Sequence, residues 1–171
     1  LVVHPRLGTR VREFAATVLF ASVLALKFVD TFSSGHFIPP HLVTKEFFTD
    51  LAHHLSDKGV VIVNFIGIPE PLHDRSLVGS FTKTVKSVFP YVNAYITYPD
   101  YPHQLQNVMY LLSTSPLPTP APDRTIRHGE TSFLLTDLAR DANNFIDAND
   151  VIFTDNHNPV EVLIFKELYP Y

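Results

Sequence analysis

Hydrophobic and polar positions change period several times along the chain, and each change marks an element. After a short apolar start at "LVVH", the Ala- and Leu-rich stretch from Arg10 to about Val23 favours helix, and "ALKFVD", ending on Asp30, favours strand. From Thr44, a suitable N-cap, "KEFFTDLAHHLSDKG" places Phe47, Phe48, Leu51 and Leu55 on one helical face and stops at Gly59. "VVIVNFIG" follows at once, a continuous β-branched run of the kind found in strands covered on both faces. Asp74 or Ser76 can cap a further helix in which Leu77, Val78, Phe81, Val85 and Val88 recur at helical spacing, with Lys83 and Lys86 near its end.

"YVNAYITY" and "NVMYLLSTS" are two more strands, separated by "PDYPHQLQ". So short a loop suits an antiparallel hairpin, because a parallel crossover needs a dozen residues or more. The Pro-rich stretch around residues 116–123 is expected to be an extended linker. Beyond it "SFLLTDLARDANNFI" reads as helix, "VIFTD" as a short extended segment, and "PVEVLIFKEL" as a last helix with Pro159 in its first turn. The expected fold class is α/β, with right-handed connections, helices on both faces of the sheet and an antiparallel hairpin of residues 91 to 115 at one edge.

With 171 residues and 46% hydrophobic side chains, the chain fits a single domain, 1–171, with its own core. Thirteen Lys and Arg against 17 Asp and Glu, without a basic stripe, argue against nucleic acid as a partner. The lack of Cys excludes disulfides, thiolate metal sites and a Cys nucleophile. The run from Phe14 to Leu26, preceded by two Arg, resembles a signal-peptide core, but Lys27 ends it short of the roughly 20 residues a spanning helix needs. It is read as a buried helix that runs into a buried strand. Among six Gly no G-x-G turn follows an early strand, so no nucleotide loop is expected within these residues.

The candidate chemistry starts at Asp30, a carboxylate at a strand tip followed by "TFSSGHFIPPHL". Open α/β sheets bind ligands beyond the carboxyl ends of their strands, although Asp is also a common turn residue. The series "DTFSSGHFIPPHLVTKEFF", then "GVVIVN", then "FPYVNAYITYPDYP" resembles the polyamine aminopropyltransferases typified by spermidine synthase, and the match runs over roughly residues 28 to 115. In that family the pattern is D-[SA]-[ST]-D-P-x-G-P-A-x-x-L, followed by T-x-E-F-[FY] and a buried strand. The tail "FTDNHNPVEVL" is similar to the ending of spermidine-synthase-like proteins that are often fused to membrane segments.

The resemblance implies a Rossmann-like, class I methyltransferase-type sheet that lacks the N-terminal nucleotide-loop half, a truncated domain weak or inactive alone. It implies aminopropyl transfer from decarboxylated S-adenosylmethionine, as co-substrate, to a small-molecule amine. Asp30 would be the base that deprotonates the amine, with Tyr101 positioning that amine, Asn64 beside it on the next strand, and Asp155 and Glu161 at the wall of the site. Ser33 replaces the second Asp of the family pattern, so one of the charges that would hold a polyamine is lost. The expected location is cytoplasmic, with attachment to membrane segments in a longer parent protein, and the expected partners are a companion N-terminal half or further copies of the chain. The rival reading is a non-catalytic interaction module that keeps the fold.

Plainer readings stand beside these. Tyr101 between prolines reads equally as a loop aromatic, Asp155 as the cap of the last helix, and Glu161 as a favourable charge in its first turn. A metal site finds little support: His53 and His54 are adjacent rather than spaced i, i+4, and His36 and His41 lack a third ligand. A serine hydrolase finds less, because the G-x-S-x-G elbow is missing.

Overall fold

The structure is a computed structural model that describes residues 24–30, 38–70, 76–119, 121–128 and 131–169. The apolar start at residues 1–4, the helix expected from Arg10 to Val23, Ser33, His36 and the alternative cap Asp74 lie outside the described residues.

The strands β1 (Leu24–Asp30), β2 (Leu55–Gly67), β3 (Tyr91–Ile96), β4 (Gln106–Ser113) and the two-residue β7 (Ala139–Arg140) form one mixed sheet in the order β1-β2-β4-β3-β7. A separate ribbon pairs β5 (Thr125–His128) with β6 (Thr131–Leu134). The parallel pair β1 and β2 is joined through helix α1 (Lys45–His53), while α2 (Leu77–Lys86) leads from β2 to β3. Strand β4 lies between β2 and β3 and is antiparallel to both. The expected βαβ order and the antiparallel hairpin are therefore present, within an α/β fold. The hairpin is not itself the edge, however, because β7 pairs with the outer side of β3 at Ala94↔Arg140 and Tyr95↔Ala139.

Among the described residues the long helices pack on one face of the sheet, and the helix expected from Arg10 to Val23 lies outside them. Phe48 of α1 and Phe81 of α2 meet edge to face at 5.7 Å, and helix α4 (Val160–Leu168) adds Val160 and Leu163 to the same core. Phe81 also stacks on Phe65 of β2 at 4.0 Å and meets Tyr110 of β4 at 5.2 Å, which makes it the centre of that core. Two crossovers of one hand that advance in the same direction across a sheet lay their helices on one side. The opposite face is more open: Leu26 is 58% and Phe28 62% exposed, while Ile62, Asn64, Ile66 and Leu111 are half-buried. The apolar run of β2 accordingly alternates between buried and half-buried positions.

Local chemistry sets the boundaries. Thr44 caps α1 by accepting from the Phe47 N–H at 3.3 Å, and Ser76 caps α2 by accepting from the Gly79 N–H at 2.7 Å. Helix α1 stops at His53 rather than Gly59, since β2 already begins at Leu55. The ladder then slips from Leu24↔Leu55 to Leu26↔Val60, so β2 spends five residues where β1 spends two. Gly59 sits in this bulge, where a Cβ would come within 2.5 Å of the Leu55 side chain.

The helix expected over residues 132–146 is also broken up. It becomes β6, the one-turn helix α3 (Leu135–Leu138), β7 and a 3-10 turn over Ala142–Phe145. Asp141 accepts from the Asn143 N–H at 2.9 Å, and this local bond starts a tight turn that competes with a continuing α-helix. Ala142 and Phe145 of that turn join the core.

Helix α2 is buried on its polar side as well as its apolar one. Ser80, Thr82 and Thr84 are fully buried; Thr82 meets Tyr110 of β4, and the segment at residues 150–153 lies over Ser80 and Thr84. The Thr84 hydroxyl accepts from the Phe153 N–H at 2.8 Å, and the Ser80 hydroxyl accepts from the Val151 N–H at 3.2 Å. Among the described residues no helix is long and apolar enough to cross a membrane.

Candidate functional site

Strands β1, β2 and β3 share one direction, so their carboxyl ends at Asp30, Gly67 and Ile96 open onto one edge of the sheet. Asp30 is the last residue of β1 and is exposed. The parallel register sets it opposite Asn64, which turns both side chains to the open face, and the Asn64 amide donates to an Asp30 carboxylate oxygen at 3.4 Å. The same rung continues through Met109 of β4 to Tyr95 of β3. A carboxylate, an amide, a thioether and a phenol thus stand in a row across the face. Met109 and Tyr95 were not singled out from sequence, because pairing across an inserted antiparallel strand leaves no local signal.

Tyr101 lies in the loop between β3 and β4, beyond the same edge, with an exposed ring. The loop is shaped by Gln106, which is buried. Its amide oxygen accepts from the Tyr98 N–H at 2.7 Å, and its amide nitrogen donates to the Tyr98 carbonyl at 3.3 Å and the Tyr101 carbonyl at 2.8 Å. The Glu70 N–H donates to the Pro102 carbonyl at 3.0 Å, and the His103 ring nitrogen Nδ1 lies 2.6 Å from the Glu70 carbonyl, so this loop is tied to the chain leaving β2.

Asp155 and Glu161 sit on other segments. Asp155 belongs to the turn from Thr154 to His157, and its N–H donates to Glu46 of α1 at 3.1 Å. It does not cap the last helix. Asn158 is nearer that role, accepting from the Val160 N–H at 3.2 Å while its amide donates to the Pro40 carbonyl at 2.7 Å. Glu161 is exposed in the first turn of α4. Of the five substrate-side or catalytic candidates within the described residues, the structure joins Asp30 and Asn64 directly and holds Tyr101, Asp155 and Glu161 on separate loops or turns.

The start of α2 is occupied by the protein's own carboxylates. Asp150 accepts from the Ser76 N–H at 2.8 Å and from the Ser80 hydroxyl at 3.3 Å, while its other oxygen accepts from the Asp147 N–H at 2.7 Å. Glu167 of α4 accepts from the Leu77 N–H and from the Ile68 N–H, each at 3.0 Å. These bonds satisfy donors that a helix terminus otherwise offers to an anion. Burial pushes the Glu167 carboxyl up to about 7; the two backbone donors oppose the shift and the nearby Asp150 reinforces it. The Tyr110 phenol, paired with the Thr82 hydroxyl at 2.7 Å, is raised above its ordinary range by burial.

A cavity of about 350 Å³ opens beside Asn93 and Tyr95, closed by residues 117–119 and by Thr136, Ala139 and Arg140. Arg140 is committed to main chain there, donating to the carbonyls of Asp137 at 2.9 Å, Ala139 at 2.8 Å and Pro99 at 3.3 Å. Among the described residues no three His, Asp or Glu side chains converge as a metal site. His54 instead has its Nδ1 2.7 Å from the Asp50 carbonyl.

No family profile matches this sequence, and no curated protein matches it. Among solved structures, the chain is similar to a probable spermidine synthase from Corynebacterium glutamicum ATCC 13032, with 20% identity and a TM-score of 0.43. The likeness covers 60% of this chain and 37% of that one, so this chain spans well under half of that protein's length.

Proposed function

We propose that this chain carries an amine-binding site of the aminopropyltransferase kind, on the later strands of a methyltransferase-like sheet. The observation that carries the reading is the Asp30 carboxylate at the exposed tip of β1, with the Asn64 amide on it at 3.4 Å. An alkylamine is protonated near neutrality and is not a nucleophile in that form. A carboxylate at a strand tip attracts the ammonium and accepts its proton, and a neighbouring amide fixes which carboxylate oxygen faces the ligand. The freed amine would attack the aminopropyl carbon of decarboxylated S-adenosylmethionine. The new C–N bond forms as the C–S bond to the sulfonium breaks, 5′-methylthioadenosine leaves, and the proton rests on Asp30. The sequence resemblance over residues 28 to 115 supports the same assignment.

Calorimetry on the full chain tests this reading. Putrescine is expected to bind the wild type and to lose at least tenfold in affinity in Asp30→Asn, which keeps the shape but removes the charge. Equal binding by the two proteins, or none by either, refutes the assignment of Asp30. Binding of 5′-methylthioadenosine would extend the proposal to a nucleoside site, and amine binding without it would leave a non-catalytic amine-binding module.

A further inference from the structure

The cavity of about 350 Å³ lies toward the far side of the sheet from Asp30, between β3, β7 and the segment at residues 117–119. The strand period fixes which side chains of β3 reach it: Ala94 and Ile96 turn into the core, so Asn93 and Tyr95 stand on the other face. Three strand spacings, roughly 14 Å in all, separate β1 from β3, so this space is distinct from the amine site proposed above. Its volume falls at the lower end of the range for small-molecule sites.

Arg140 sets the chemistry of the cavity. A guanidinium carries five N–H donors and stays charged at any pH at which the protein is folded. Nη1 donates to the Asp137 and Ala139 carbonyls, and Nη2 donates once to the Pro99 carbonyl. The Nε–H and one Nη2–H are left over, and the partners of the group among the described residues are all neutral carbonyl oxygens. Those three bonds fix the half-buried side chain in place without neutralising it. The result is a pre-ordered cation with spare donors on two nitrogens of one carbon, the spacing that the two oxygens of a carboxylate match. Beside it, Leu117 and Pro118 supply apolar wall, while Asn93, Tyr95 and Thr136 supply neutral polar groups.

We propose that this cavity binds a small organic carboxylate, with its charged end on Arg140 and a short, partly apolar body against Leu117 and Pro118. Little reorganisation is needed on binding, because the main-chain bonds already hold the guanidinium. Inorganic phosphate is the poorer fit: it brings close to two charges to one cation and has no body for the apolar wall. The site uses none of the residues assigned to amine binding, so its failure and the failure of that reading are separate results.

Titration of the full chain with para-hydroxybenzoate, followed by proton–nitrogen NMR, tests the assignment, with the neutral isostere para-hydroxybenzamide and inorganic phosphate as comparisons. The acid is expected to move the signals of the Arg140 Nε–H and the Asn93 side-chain amide, and to bind about tenfold more tightly than the amide or phosphate. Arg140→Gln is expected to weaken the acid about tenfold and to leave the amide unchanged. Equal binding of acid and amide overturns the proposal, as do tighter binding of phosphate, shifts confined to other residues, or no binding of the acid at millimolar concentration. Undiminished binding of the acid by a folded Arg140→Gln overturns it too. Because Arg140 also holds the Asp137 and Pro99 carbonyls, the variant can fail to fold; the wild-type comparison of acid, amide and phosphate, read at Arg140 and Asn93, then decides alone.

Discussion

At the residue scale, the consequences of a change depend on what it leaves behind. Thr82 serves two partners, donating to the Val78 carbonyl at 2.7 Å and sharing a hydrogen bond with the Tyr110 phenol at 2.7 Å. Tyr110→Phe removes one hydroxyl and leaves Thr82 still bonded, so it is expected to cost about 1 kcal/mol. Thr82→Val strands the buried phenol and is expected to cost about 2 to 3 kcal/mol, an ordering that urea denaturation can check. Gly79 presents a steric case: a Cβ there would collide with the Asp150 carboxylate and the Phe145 carbonyl. Gly79→Ala is therefore expected to lower the melting temperature, although Ala has the better helix propensity by about 1 kcal/mol. A rise in melting temperature would show that the 145–150 segment yields easily. Asp30 and Asn64 belong to this scale only as identities. Their residue types are written in the sequence, but their contact is a matter of register.

At the element scale, capping and loop-holding bonds decide what stays in place. Ser76 starts α2, and Ser76→Ala is expected to cost about 1 to 2 kcal/mol in chemical denaturation, since the lost acceptor is buried. Gln106 acts on a loop instead. Gln106→Ala removes all three bonds to Tyr98 and Tyr101, and should raise proteolytic cleavage within residues 98–105 far more than elsewhere. If amine binding involves Tyr101, the same variant weakens it without touching Asp30. Unchanged cleavage would mean that the Tyr101–Gln104 and Glu70–Pro102 bonds suffice to hold the loop. The helices were legible in the sequence where a cap met a periodic apolar run, as at Thr44 and Ser76. The segment 132–146 misled because "LARDANNF" carries enough apolar spacing for a helix, while Asp141 and its partners settle for a turn.

At the scale of the whole molecule, the described part of the sheet has one face covered by α1, α2 and α4 and another on which Leu26 and Phe28 stand exposed. Both belong to β1, the edge strand among the described residues, and exposed apolar side chains on such a strand favour association. Replacing both with Ser is expected to reduce concentration-dependent scattering of the full chain. The melting temperature should move little, because each side chain is already more than half exposed. Scattering that does not change would place the association surface elsewhere. By itself, the sequence determined the α/β class, the βαβ order, the antiparallel β3–β4 pair and a carboxylate at a strand tip, because these follow from short-range periodicity, caps and loop length. Tertiary structure alone decided that α1, α2 and α4 share one face and that β4 inserts between β2 and β3. It also brought Asp30 beside Asn64 and closed Glu167 over donors 99 and 90 residues away. The reason is physical: those outcomes depend on strand register and on which surfaces remain to be buried once the crossovers are made, and neither quantity is carried by any local stretch of chain.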